Sequence, residues 1–217
     1  MTDQNLTHIY FLLDRSGSMT SIRNETIAGF DSFIAEQRKT PGACAVTLAQ
    51  FDNEYDEVYV DREFASVPSL ELNPRGSTAL LDALGRLIVT AGERLAKLSE
   101  SERPGSVIVG VMTDGYENAS QDWTHAKIKA LIEQQTRDYA WEFLYLGADQ
   151  DAIEEGAKMG FAGTKSVTYR RGKADKVMAD LGANVGAYRA ARSAGAAPAV
   201  ATKLTEFTKE QRDDAVS

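Results

Sequence analysis

The chain has 217 residues, 43% hydrophobic and 26% charged, which is the balance of a folded protein rather than a disordered one. Its 24 basic and 32 acidic side chains leave a net charge of −8, which argues against a surface built to hold a phosphate backbone and hence against a nucleic-acid partner. The single cysteine, Cys44, excludes an internal disulfide and a thiolate zinc cage, and it suits a reducing, cytoplasmic compartment. The N-terminus has no basic stretch ahead of an apolar run, and every apolar run is too short to span a bilayer, so a soluble protein with no membrane role is expected.

In chain order, Ile9 to Leu13 is apolar at every position, the pattern of a strand covered on both faces. Ile22 to Lys39 carries Ile27, Phe30 and Ile34 at helical spacing and stops at Thr40-Pro41-Gly42. Ala45–Phe51 and Tyr55–Val60 flank Asp52-Asn53-Glu54 and read as a hairpin. Leu80 to Leu98 is the clearest helix, with Leu80, Leu84, Leu87, Ile88, Ala91, Leu95 and Leu98 on one face. Val107–Met112 is a second buried-type strand, Asp122–Gln135 a helix and Trp141–Leu146 a third strand. Asp151–Met159 reads as a short helix, and Ser166–Tyr169 as a last strand. Strands alternating with helices predict a doubly wound α/β domain, its sheet mostly parallel with one antiparallel edge strand. Ligands of such a sheet bind beyond the carboxyl ends of the strands, at the topological switch point.

After about residue 170 the composition changes. Residues 171–217 hold 12 alanines and four glycines, but only Tyr188 and Phe207 as aromatics. The expected organisation is therefore a domain over 1–170 and an Ala-rich extension over 171–217, partly helical or disordered and contributing little core.

Three of the strands end in an acid. The first runs into Asp14-Arg15-Ser16-Gly17-Ser18, the second into Thr113-Asp114-Gly115 and the third into Gly147-Ala148-Asp149. Asp149 is expected simply to cap the helix that follows it. Asp-x-Ser-x-Ser places three oxygen-bearing side chains at alternate positions of one turn, a half-shell for a hard cation such as Mg²⁺. A serine-rich turn with Ser18 as a helix cap is the plainer reading of the same residues. Arg75-Gly76-Ser77-Thr78 leads into the strongest helix, where Thr78 serves equally as cap or ligand.

Taken in order, Phe-Leu-Leu-Asp-Arg-Ser-Gly-Ser-Met, Gly-Ser-Thr-Ala-Leu and Val-Met-Thr-Asp-Gly resemble the von Willebrand factor A domain across roughly residues 6–170. The chain looks similar to the stand-alone cytoplasmic bacterial and phage-like members of that family. It implies a metal-ion-dependent adhesion site (MIDAS) formed by Asp14, Ser16, Ser18, Thr78 and Asp114. It also implies Mg²⁺, with Mn²⁺ or Ca²⁺ as substitutes, and a protein partner that supplies an Asp or Glu carboxylate. The expected role is a cytoplasmic adaptor, not an enzyme. Arg15, Tyr116, Glu117 and Asn118 border the site and are expected to contact the partner. The alternative is a metal-dependent phosphohydrolase on a similar sheet. The haloacid-dehalogenase-like enzymes, which also place an Asp at the end of the first strand, need a second Asp two residues later, where this chain has Ser16, and the chain has no phosphate-binding Gly-rich loop.

Overall fold

The computed structural model describes residues 2–217. Six strands form one sheet: β1 (Asp3–Asp14), β2 (Ala43–Phe51), β3 (Tyr55–Glu63), β4 (Pro104–Thr113), β5 (Glu142–Ala148) and β6 (Ser166–Tyr169), in the spatial order β3-β2-β1-β4-β5-β6. All neighbours are parallel except β2 and β3, which the turn after Phe51 joins as an antiparallel hairpin. This is the doubly wound sheet with one antiparallel edge that the sequence predicts. β1 lies at the centre, hydrogen-bonded on both sides and covered on both faces. That is why its run from Ile9 to Leu13 has no polar member.

The helices are α1 (Arg23–Lys39), α2 (Leu80–Lys97), α3 (His125–Tyr139), α4 (Ala152–Met159), α5 (Ala174–Ser193), α6 (Pro198–Ala201) and α7 (Lys209–Val216). Alternate β1 residues face opposite layers. Ile9, Phe11 and Leu13 pack with Phe30, Phe33 and Ile34 of α1 and with Val177, Met178, Leu181, Val185 and Tyr188 of α5. Tyr10 and Leu12 pack with Leu80, Leu84, Leu87 and Ile88 of α2 and with Ile128 and Ile132 of α3.

The expectation of an Ala-rich extension with little core is corrected here. The segment after residue 170 is helical, and α5 is half of one layer. Its buried positions, from Ala174 through Val177, Leu181, Val185 and Tyr188 to Arg192, make one continuous stripe. The stripe escapes a reading by apolar bulk because alanine, glycine and arginine fill part of it. Small residues here allow close approach. A Cβ on Gly29 of α1 would stand only 3.0 Å from Met178 Cγ and 3.1 Å from the Ala174 carbonyl oxygen. The two buried arginines of α5 act as pins. Arg189 donates to the Gln37 and Gly42 carbonyls, and Arg192 to the Gly105 and Ala196 carbonyls and to Ser106 Oγ. The last residues also fold back, with Arg170 N–H donating to the Ala215 carbonyl at 3.0 Å and Phe207 buried in the α1–α5 core. Among the described residues no helix is long and apolar enough to cross a membrane.

From β1 the chain builds β2 and β3 on one side, then crosses to β4 on the other. The switch point therefore lies between the carboxyl ends of β1 and β4. There Leu13 pairs with Met112, which sets Thr113 and Asp114 beside Asp14.

Candidate metal centre

The site grows from those two strand ends. Asp14 is the last residue of β1 and has no exposed surface. Its Oδ1 accepts the Ser16 N–H at 2.6 Å, which folds the loop back on the carboxylate. Its Oδ2 accepts the Thr113 hydroxyl at 2.5 Å, a bond across the switch point from the end of β4. Thr113 precedes Asp114 in the sequence and has no expected role of its own there. Burial raises the Asp14 carboxyl to about 6, against the pull of the hydrogen bonds from Thr113 and Ser16. A buried carboxylate so poorly compensated gains from a nearby cation.

After Asp14 the chain turns into a short 3₁₀ helix (Gly17–Ile22). Ser18 does not cap it. Ser18 Oγ lies 3.1 Å from Ser16 Oγ and donates to Asp114 Oδ1 at 2.5 Å. The other Asp114 oxygen, Oδ2, is buried with no hydrogen-bond partner. Burial pushes the Asp114 carboxyl up as well, with Ser18 and Arg171 pulling it back. Thr78 comes from the third loop, is nearly fully buried and does not cap α2 with its side chain. Asn118 instead holds the Thr78 backbone in place: its Oδ1 accepts the Thr78 N–H at 2.9 Å, and its N–H donates to the Thr78 carbonyl at 3.0 Å. Gly115 lets the loops close, because a Cβ there would sit 2.9 Å from Thr78 Oγ1 and 3.7 Å from Asp14 Oδ2. The five oxygen-bearing side chains of the expected shell thus converge on one edge. Among the described residues no group of three or more His, Cys, Asp or Glu side chains is placed to hold a metal. Any ion here would therefore rely on hydroxyls as much as on carboxylates.

The expected partner contacts fare unequally. Arg15, expected to face a partner, is 9% exposed and points inward. Its Nε donates to Asp52 Oδ2 at 2.9 Å, and its Nη2 pairs with Asp56 at 2.6 Å. Asp52 has no exposed surface and also accepts from Arg75 Nε at 2.7 Å, so one buried carboxylate ties the Asp14–Ser18 loop to the Thr78 loop. Burial works against the charge on Asp52, yet Arg75, the Glu54 N–H and Arg15 together hold its carboxyl below its ordinary range. Glu117 is occupied too, accepting the Leu81 N–H at 2.8 Å at the start of α2 and the Ala119 and Ser120 N–H groups. Tyr116 and Asn118 are the exposed members of the four, Tyr116 with a large, 55% exposed side chain. Asp149 does not cap α4, a task that falls to Asp151. It pairs instead with Arg171 at 2.9 Å.

No protein-family model and no curated protein sequence matches the chain. Solved structures do. Proximal thread matrix protein 1 from the mussel byssus is 15% identical, with 82% of this chain and 45% of that one covered at a TM-score of 0.56. A von Willebrand factor type A protein from Catenulispora acidiphila is 14% identical, with coverages of 83% and 43% and a TM-score of 0.57. The chain has the von Willebrand factor A fold. The pilus adhesin SpaC from Lactobacillus rhamnosus GG matches at 12% identity, with 83% of this chain and 30% of that one covered and a TM-score of 0.59. The chain spans less than half the length of each of these proteins. Another structure of the byssus protein, 16% identical with a TM-score of 0.55, has zinc in its MIDAS motif. In this von Willebrand factor A fold, Asp14 and Asp114 flank the switch point between β1 and β4.

Proposed function

We propose that the chain is a divalent-cation-dependent protein-binding module, in which Asp14, Ser16, Ser18, Thr78 and Asp114 hold the ion and a partner's Asp or Glu carboxylate completes its coordination. One observation carries the reading. Carboxylates and hydroxyls from three separate loops converge at the switch point, and one carboxylate oxygen, Asp114 Oδ2, is buried without a hydrogen-bond partner. The donors are all hard oxygens, which suits Mg²⁺, with Mn²⁺ or Ca²⁺ as substitutes. Two carboxylates leave room on a divalent ion for an incoming acid, which a chain of net charge −8 would otherwise repel.

The reading is of capture rather than turnover. Hydrolysis needs a group to take a proton from the attacking water. Asp14 is engaged by Ser16 and Thr113, and the motif contains no histidine or lysine. Of the two histidines, His8 is buried within β1 and His125 opens α3. A cytoplasmic adaptor is the cellular role we infer, supported by the single cysteine and the acidic surface.

Calorimetric titration with Mg²⁺ tests the site. One ion should bind, and Asp14→Ala and Asp14→Asn should both abolish the heat, with the Asn variant, which keeps an oxygen acceptor in place, retaining the metal-free melting temperature. Thr113→Val, which removes only the hydroxyl that orients Asp14, should weaken binding ~10–100-fold, as loss of an outer-shell partner does. Capture of proteins from lysate with Mg²⁺ and with chelator then tests the partner, which should be retained only with Mg²⁺ and released by excess acetate. Equal Mg²⁺ heats for the parent chain and Asp14→Ala would overturn the assignment.

A further inference from the structure

The loop between β6 and α5 brings a cation to the edge of the site. Arg171 is anchored twice by one carboxylate: its Nε pairs with Asp149 Oδ2 at 2.9 Å, and its N–H reaches Asp149 Oδ1 at 3.3 Å. Asp149 takes this position with φ at 49°, a left-handed conformation that Asp tolerates better than most residues. The next turn of chain is held as well, with Glu25 accepting the Gly172 N–H at 3.0 Å and the Ala174 N–H at 3.2 Å. A fork anchored through Nε has its other end free. That end, Nη2, lies 3.9 Å from Asp114 Oδ2, the buried oxygen with no hydrogen-bond partner.

We propose that Arg171 is a built-in counter-cation that competes with the divalent ion for Asp114 and so sets the ion's affinity. This inference rests on the reading of Asp14, Ser16, Ser18, Thr78 and Asp114 as the metal shell. At this distance the guanidinium and an ion bound through Asp114 repel each other, and both draw on the same carboxylate. Arginine cannot relieve the conflict by losing its proton. It relieves it by swinging outward on the tether to Asp149, which its half-exposed side chain permits. The competition is electrostatic, so salt weakens it.

The experiment is calorimetric titration of the full chain with Mg²⁺, alongside Arg171→Gln and Arg170→Gln. The second variant makes the same charge change at the adjoining exposed arginine. At low salt, Arg171→Gln should bind Mg²⁺ about two- to five-fold more tightly, the range of a partly exposed ion pair. The gain should shrink at ~0.5 M KCl, and Arg170→Gln should move the affinity less. Equal or weaker binding by Arg171→Gln overturns the proposal, as does the same gain in both variants. Absence of Mg²⁺ heat from all three proteins overturns the metal-site reading itself, and this inference with it.

Discussion

The two helical layers bury β1 equally well but are written in different alphabets. α2 shows its inner face as leucine and isoleucine, with Leu84 and Ile88 fully buried. α5 covers the other face with an equally continuous stripe, in which Ala174, Gly182, Arg189 and Arg192 stand among the larger residues. Bulk fills the space in the first layer. In the second, small side chains bring two helices close, and the arginine stems pack while their heads satisfy carbonyls. Amphipathicity judged by hydrophobic bulk finds only the first kind.

The largest effect should come from removing the second layer. A chain ending at Gly172 loses Val177, Met178, Leu181, Val185 and Tyr188 from the core. At ~1.5–3 kcal/mol for each large buried side chain, the loss rivals the ~5–15 kcal/mol net stability of a domain. That chain should show no cooperative thermal transition by circular dichroism. A normal melt would restore a domain boundary near residue 170.

Single truncations should show the two layers to be equivalent. Leu84→Ala in α2 and Leu181→Ala in α5, both at residues under 2% exposed, should each cost ~2–5 kcal/mol in urea unfolding. A cost below ~1 kcal/mol for Leu181→Ala alone would mean that the α5 face is loosely packed.

Glycines separate the two alphabets further. Gly29→Val drives a branched side chain into Met178 and the Ala174 carbonyl and should cost ~1–3 kcal/mol. Gly92→Ala, on α2 where a Cβ meets nothing within 4 Å, should stabilise by ~0.4–1 kcal/mol. A neutral Gly29→Val would refute the close approach of α1 and α5.

The smallest effect is a pH dependence confined to the α2 face. His8 stacks on Tyr10 at 4.0 Å, and its Nε2 lies 3.0 Å from the Thr47 hydroxyl, which accepts the Asp61 N–H. A hydroxyl offers one proton and two lone pairs, so either ring tautomer can make this contact. Burial, aided by Arg94, lowers the imidazole from 6.5 to about 3; Asp61, 3.3 Å away but 60% exposed, is screened by water and does not reverse this. Because the folded value lies below the unfolded one, His8's contribution is full above pH 6.5 and is lost as pH falls towards 3. The loss should be about 1 kcal/mol over the first pH unit below 6.5. His8→Gln should remove that part of the acid-side slope in urea melts, and an unchanged slope would mean that His8 is protonated in the folded state.

The residues proposed as ligands were legible because their spacing is local. Asp14, Ser16 and Ser18 lie within one turn, Thr78 stands two residues ahead of a strong helix, and Asp114 follows a strand. The fold class was legible for a similar reason, since buried strands and amphipathic helices announce themselves over short windows. Bonds between distant segments were not legible. Arg15 reads as a surface residue until the buried Asp52 of the hairpin turn, and Asp56 of β3 at the surface, meet it. Thr113 reads as the filler of a motif until strand register sets it against Asp14. Arg171 lies 57 positions from Asp114, and only the order of β4, β5 and β6 in the sheet brings them together. The part played by α5 was hidden for a related reason: whether an alanine or glycine marks a weak helix or a tight interface depends on the helix opposite, and in this chain that helix is α1.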